Sequence, residues 1–133
     1  MRFIEPEGWA KASGYANGVS ARGEVLAIAG QIGWNPGTCR FESDDLVVQA
    51  RTALENIAAV VRAAGGAPEH VIRMTWYVVD REAYTATLRE LGAAYREVFG
   101  RHYPAMTLVV VAGLLEARAL VEIEATAVLP ERA

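Results

Sequence analysis

The sequence predicts an α+β two-layer sandwich, and three features of its apolar patterning predict it. Two amphipathic helical stretches are interleaved with β-rich runs in the order β-β-α-β-α-β-β. The last run alternates between an apolar and a mainly polar face, whereas the run before it, "AMTLVVVA" at 105–112, is apolar on both faces. Two helices cover only one face of a sheet, so a strand apolar on both sides needs a second cover. A large exposed apolar sheet face marks an interaction site, and a second copy of the chain is the simplest occupant. Self-association through the sheet is therefore expected, with any cleft lying between subunits.

Each element has its own signal. Residues 15–19, "YANGV", and 24–29, "EVLAIA", read as short strands separated by "SARG", where Gly23 suits the turn of an opening hairpin. From Asp44 to Ala64 the apolar positions Leu46, Ala50, Leu54, Ile57, Val61 and Ala64 recur at three- and four-residue steps, and Gly65, Gly66 and Pro68 end the helix. "HVIRMTWYVV" at 70–79 is rich in β-branched and aromatic residues and reads as a strand. Asp80 caps a second helix with the stripe Tyr84, Leu88, Leu91, Tyr95 and Val98, terminated at Gly100. Strands at about 105–112 and 118–128 complete the chain.

Alternation assigns faces. In the last strand Ala119, Val121, Ile123, Ala125 and Ala127 suit the helices, while Arg118, Leu120, Glu122, Glu124 and Thr126 point the other way. In 70–79 the set Ile72, Met74, Trp76 and Val78 is apolar, and Val71, Arg73, Thr75, Tyr77 and Val79 are mixed. Both carboxylates thus fall on the face expected to meet another subunit.

Composition narrows the function. The 133 residues, 53% of them hydrophobic, suffice for one domain, 1–133, with a core that needs neither disulfide nor metal. A net charge of −3 offers no footprint for phosphate backbones, so no nucleic acid is expected as a partner. Cys39 is the single cysteine, which points to a reducing, cytoplasmic setting. The N-terminus carries charges and Pro6 where a signal peptide has an apolar core, and no apolar run approaches the roughly 18 residues of a membrane span; neither secretion nor a membrane is expected.

Few side chains can carry chemistry. His70 and His102 lack a second ligand at metal-site spacing, so no metal is expected. Ser13, Ser20 and Ser43 lack the context of an activated nucleophile, and Cys39 has no neighbouring His. The glycines of "GQIGWNPG" suit a turn with Asn35 and Pro36, and Trp34 and Trp76 read as packing residues. Glu122 is different, because a carboxylate on an apolar interface face has its pKa raised by desolvation and can hold or activate a water. The competing reading pairs Glu122 and Glu124 with Arg73 or Arg118, as ions that merely specify the interface.

The chain also resembles the RidA/YjgF family, known too as endoribonuclease L-PSP or translation-inhibitor homologues. The resemblance runs through "SGYANGV", "AIAGQIGWNPGT", "QARTALENIAAVVRAAG", "YVVD", "YREVFG", "YPAMT" and, most specifically, "VEIEATAV". It implies a chorismate-mutase-like subunit with a mixed sheet, two helices on one face, and a homotrimer whose sheets line the centre, with clefts between subunits. It also implies hydrolysis of reactive enamines and imines such as 2-aminoacrylate, without metal or cofactor. By this resemblance Glu122 orients the attacking water, while Tyr15 and the Gly30–Gln31 backbone complete the cleft. Where the family places an Arg that grips the substrate carboxylate, within Pro-Ala-Arg, this chain has Met106. Ala29, Ser13-Gly14 and an apparent extra residue before "VEIE" are further departures.

Met106 limits what carries over, because a thioether supplies neither charge nor strong donor. With Leu108 and Val110 on its face, the cleft is expected to be apolar and a poor 2-aminoacrylate site, and Arg73 is the foremost substitute cation, ahead of Arg101 and Arg118. Two readings follow. In one, the cleft binds and hydrolyses a different small imine- or enamine-type metabolite; in the other, it is a non-catalytic ligand-binding or regulatory site.

Overall fold

The computed structural model describes residues 1–131. Its strands are β1 (Arg2–Ile4), β2 (Gly18–Ser20), β3 (Glu24–Ile32), β4 (Trp34–Asn35), β5 (Arg40–Phe41), β6 (Val71–Val78), β7 (Ala105–Val110) and β8 (Val121–Leu129). Its helices are α1 (Leu46–Ala63), α2 (Arg81–Ala86) and α3 (Leu88–Phe99). The main sheet has the order β3-β8-β6-β7. It is mixed: β6 and β7 run parallel, while β8 is antiparallel to both β3 and β6. Helices α1 and α3 pack together over one face, giving the expected α+β two-layer sandwich.

The opening hairpin does not form. Residues 18–20 pair with β1 in a separate two-stranded ribbon, and β3 joins the main sheet beside β8. The long β8 offers β3 a full ladder and a buried face, which a three-residue neighbour cannot match. Gly23, at φ +147°, marks the crossing, because a Cβ there would lie 1.8 Å from the carbonyl oxygen of Leu129. Backbone and side chain both require glycine at this point.

Capping residues delimit the helices as the sequence indicates. Asp45 accepts a hydrogen bond from Val48 N at the start of α1, and Asp80 accepts one from Ala83 N at the start of α2. The second predicted helix is broken, however. The Thr87 hydroxyl donates to the carbonyl of Ala83 (2.7 Å), and at Thr87 the backbone leaves helical geometry between α2 and α3. The break rotates the predicted stripe: Leu91, Tyr95 and Phe99 enter the core, while Leu88 stays 54% exposed.

Candidate functional site

Register fixes which side chains share a face. Ile123, Trp76 and Leu108 pair across β8, β6 and β7, as do Ala125, Met74 and Met106, and these lie toward the helices. Glu122, Tyr77 and Val109 form the alternate row, as do Glu124, Thr75 and Thr107, and these lie on the open face. The face predicted for Glu122 and Glu124 is the face they occupy.

Glu122 sits beside a deformity in β3. Between Ile28, opposite Ala125, and Gln31, opposite Ile123, β3 advances three residues while β8 advances two, a β-bulge at Ala29–Gly30. A Cβ on Gly30 would lie 2.1 Å from Glu122 Oε1, so the carboxylate lies against the bare glycine backbone. Gln31 folds its side-chain amide back on the Ala29 carbonyl at 3.1 Å. Gly30, Gln31 and Glu122 are thus brought together.

The predicted ion pairs are absent among the described residues. Arg118 reaches Asp44 instead, at 2.8 Å, because it precedes β8 and turns toward the start of α1. Arg73 is exposed on the open face, with no described carboxylate within ion-pair distance. Glu124 accepts a hydrogen bond from the Tyr77 hydroxyl at 2.6 Å. That bond, with lesser contributions from burial and the nearby carboxylates, raises the Tyr77 pKa, so the phenol remains a donor. Glu122 is half-buried and has no charged partner among the described residues, which leaves its oxygens able to accept from a water and take its proton.

Two buried polar side chains on α1, overlooked in the sequence, hold this geometry. Gln49, fully buried, donates to the carbonyls of Ser43 and Arg118 and accepts from Leu120 N at 2.8 Å, pinning the entry to β8 two residues before Glu122. Asn56 donates to the Trp34 carbonyl at 3.1 Å, just beyond β3. A Cβ on Gly33 would lie 2.4 Å from Gln49 Cβ, so helix and strand touch there. The available signal was two amides seven residues apart on the otherwise apolar, buried face of the helix.

Tyr15 and Met106 belong to a different place. They line a groove of about 580 Å³ on the helix side, at the β7 edge, with Trp76, Leu88, Leu91 and Leu108 among its walls. Tyr15 is positioned by the next residue, whose amide donates to the Pro104 carbonyl at 3.0 Å and which bridges to Ala105. Met106 and Glu122 therefore occupy opposite faces of one subunit's sheet, contrary to a shared cleft within one chain. Arg73 is also on the face away from Met106 and cannot replace an anchor there within the same subunit. Pairing runs unbroken from Val78–Val121 to Arg73–Thr126, so the residues around "VEIE" keep regular register behind the 111–120 loop. No group of three or more His, Cys, Asp or Glu side chains converges among the described residues.

The family model described as Endoribonuclease L-PSP matches residues 7–129. The chain belongs to this family, RidA/YjgF. Among RidA/YjgF relatives, the RutC family protein PH0854 of Pyrococcus horikoshii is 37% identical over 113 residues, covering 85% of each chain. The Escherichia coli protein named "Putative reactive intermediate deaminase TdcF" is 38% identical over 117 residues, covering 86% of this chain and 85% of its own. The crystal structure of TdcF with bound serine matches with TM-score 0.69 over 98% of this chain and all of that one, at 33% identity. YyfB of Yersinia pestis, a Rid-family protein of unknown function, matches with TM-score 0.85 and 33% identity, over 96% of this chain and 98% of its own.

Proposed function

We propose that this RidA/YjgF chain is the single-domain subunit of a homotrimer whose intersubunit cleft binds a small reactive imine or enamine and hydrolyses it to a carbonyl compound and ammonia. Glu122 positions the attacking water. The observation that carries this reading is the Glu122 carboxylate, laid against Gly30 and without a charged partner among the described residues. A second subunit is needed to bring a Tyr15–Met106 groove next to Glu122, because one chain holds them on opposite faces. The name of TdcF and the serine bound to it support a small amino-acid-like ligand. The acidic balance argues against RNA as a partner, and the exposed free thiol of Cys39 fits the cytoplasm.

Met106 makes efficient 2-aminoacrylate deamination unexpected, because no cation stands at that point to hold its carboxylate. The same feature favours a second reading, ligand binding without turnover. Ammonia release from enzymatically generated 2-aminoacrylate separates them: the wild type should be slow, Met106→Arg faster, and Met106→Arg with Glu122→Gln slow again. Fast wild-type turnover refutes the exchanged anchor. A double variant as active as Met106→Arg removes Glu122 from catalysis, and silence in all three favours the binding protein. Light scattering tests the trimer, and a stable monomer would sink the shared cleft.

A further inference from the structure

The helix-side groove holds polar groups that neither Glu122 nor the family motifs account for. Arg96 is the one charged side chain among its walls, and no Asp or Glu lines it. Arg96 makes no ion pair with a described carboxylate, although the next residue, Glu97, meets Arg51 at 3.1 Å. Its guanidinium lies back over Gly92, where a Cβ would come within 3.2 Å of Nη1. Glycine inside a helix is unfavourable relative to alanine, and here it leaves room for that guanidinium beside the groove. Trp76, another wall residue, is 4% exposed, and its indole Nε1–H is buried with no hydrogen-bond partner among the described residues. A buried donor without an acceptor is an uncommon state that a ligand atom can relieve.

The remaining walls select the ligand's body. Tyr95 and Tyr103 stack at 5.5 Å between centroids, and the Tyr95 hydroxyl is occupied by the His102 carbonyl, so Tyr95 has no free hydroxyl to offer. The Met106 thioether and Leu108 line the β7 side, and sulfur packs favourably against aromatic rings. A volume of about 580 Å³ is ample for a ring-bearing molecule and leaves a three-carbon acid loosely held.

We propose that this groove binds an aromatic monocarboxylate with a carbonyl or imine acceptor next to the carboxylate, its charge on Arg96, its acceptor on Trp76 Nε1 and its ring against Met106 and the tyrosines. The inference rests on the small-ligand reading above and names the substrate class for that site. Arg96 takes over the anchoring that position 106 lacks, from the adjacent helix.

The test is calorimetric titration of the intact protein with phenylpyruvate, pyruvate and phenylacetone, with the Trp76 indole N–H followed by NMR and assigned through Trp76→Phe. Phenylpyruvate should bind saturably and shift the indole proton downfield. Pyruvate lacks the ring and phenylacetone the carboxylate, and both should bind more weakly. Arg96→Gln should weaken phenylpyruvate on the order of 10- to 100-fold, the range of a charge-assisted hydrogen bond, and leave phenylacetone unchanged. Gly92→Ala should raise Tm and leave phenylpyruvate binding in place, because alanine favours the helix and the flexible end of Arg96 need give by only a few tenths of an ångström. No phenylpyruvate binding, affinity indifferent to Arg96→Gln, or a stationary indole signal would overturn the proposal. Binding is read without turnover, so Arg96-dependent binding with no ammonia release in any variant sinks only the hydrolytic reading. Ammonia release without Arg96-dependent binding sinks only this one.

Discussion

The two faces of the main sheet are built from the same strands and do opposite work. On the helix face Met74, Val121 and Ile123 are fully excluded from solvent. One residue along, Arg73 and Glu124 are exposed and Glu122 is half-buried. Because side chains alternate, neighbouring substitutions in β8 can probe packing and chemistry separately. The fold keeps the candidate carboxylate, Glu122, out of its core, so that position can vary with little effect on the sandwich.

The sharpest contrast is between adjacent residues. Ile123→Ala should lower unfolding free energy by about 2–5 kcal/mol in urea titrations at fixed protein concentration, through lost burial and a residual cavity. Glu122→Gln should stay within about 0.5 kcal/mol of wild type. Equal losses would break the division between faces. Gln49→Leu comes next, at about 2–3 kcal/mol, because Leu120 N–H and the Ser43 and Arg118 carbonyls lose their partner. It should also reduce any Glu122-dependent turnover, since the entry to β8 loosens; turnover untouched by Gln49→Leu would show that the strand needs no such tie.

Tyr95 tests the helix face through pH. Burial, helped by Tyr103, holds its hydroxyl above the ordinary value of 10.0, so the folded state retains a proton that the unfolded state releases. That stability is fully present below about pH 10 and declines as the pH rises beyond it toward the folded value. Melting temperatures from pH 8 upward should fall for the wild type above that point and fall less steeply for Tyr95→Phe. At neutral pH the same variant should lose about 1 kcal/mol with its bond to the His102 carbonyl. Gly30→Ala should also cost little stability, under about 1 kcal/mol, because Gly30 has ordinary φ and the methyl meets only the mobile end of Glu122. Its functional effect should be large, since the displaced carboxylate no longer lies over the bulge. Crystal structures of the variant with Glu122 unmoved would contradict this.

Much of the architecture was legible because it follows from local periodicity. The α1 stripe, the Asp80 cap, the β6 strand and the assignment of Glu122 to the uncovered face all rest on spacing that the chain carries along itself. The hairpin and the unbroken second helix were misread for one reason. Each looked locally sufficient, yet β3 gains a longer partner in β8, and the Thr87 hydroxyl competes for a helical carbonyl. The role of Gln49 is not legible from spacing, because the pair Gln49 and Asn56 shows only that amides share a buried helix face; its backbone partners at Ser43, Arg118 and Leu120 give it meaning.

By itself the sequence determined the sandwich, the acidic net charge, the family motifs and the presence of Met106 after Pro104-Ala105. Those are properties of composition and of order along the chain. Tertiary structure alone decided that Met106 and Glu122 lie on opposite faces, that Gly30 makes room for a carboxylate, and that Arg96 and Trp76 share a groove with Tyr15. Strand pairing sets these relations, and one residue of register, or one bulge, sends a side chain to the other face of the sheet.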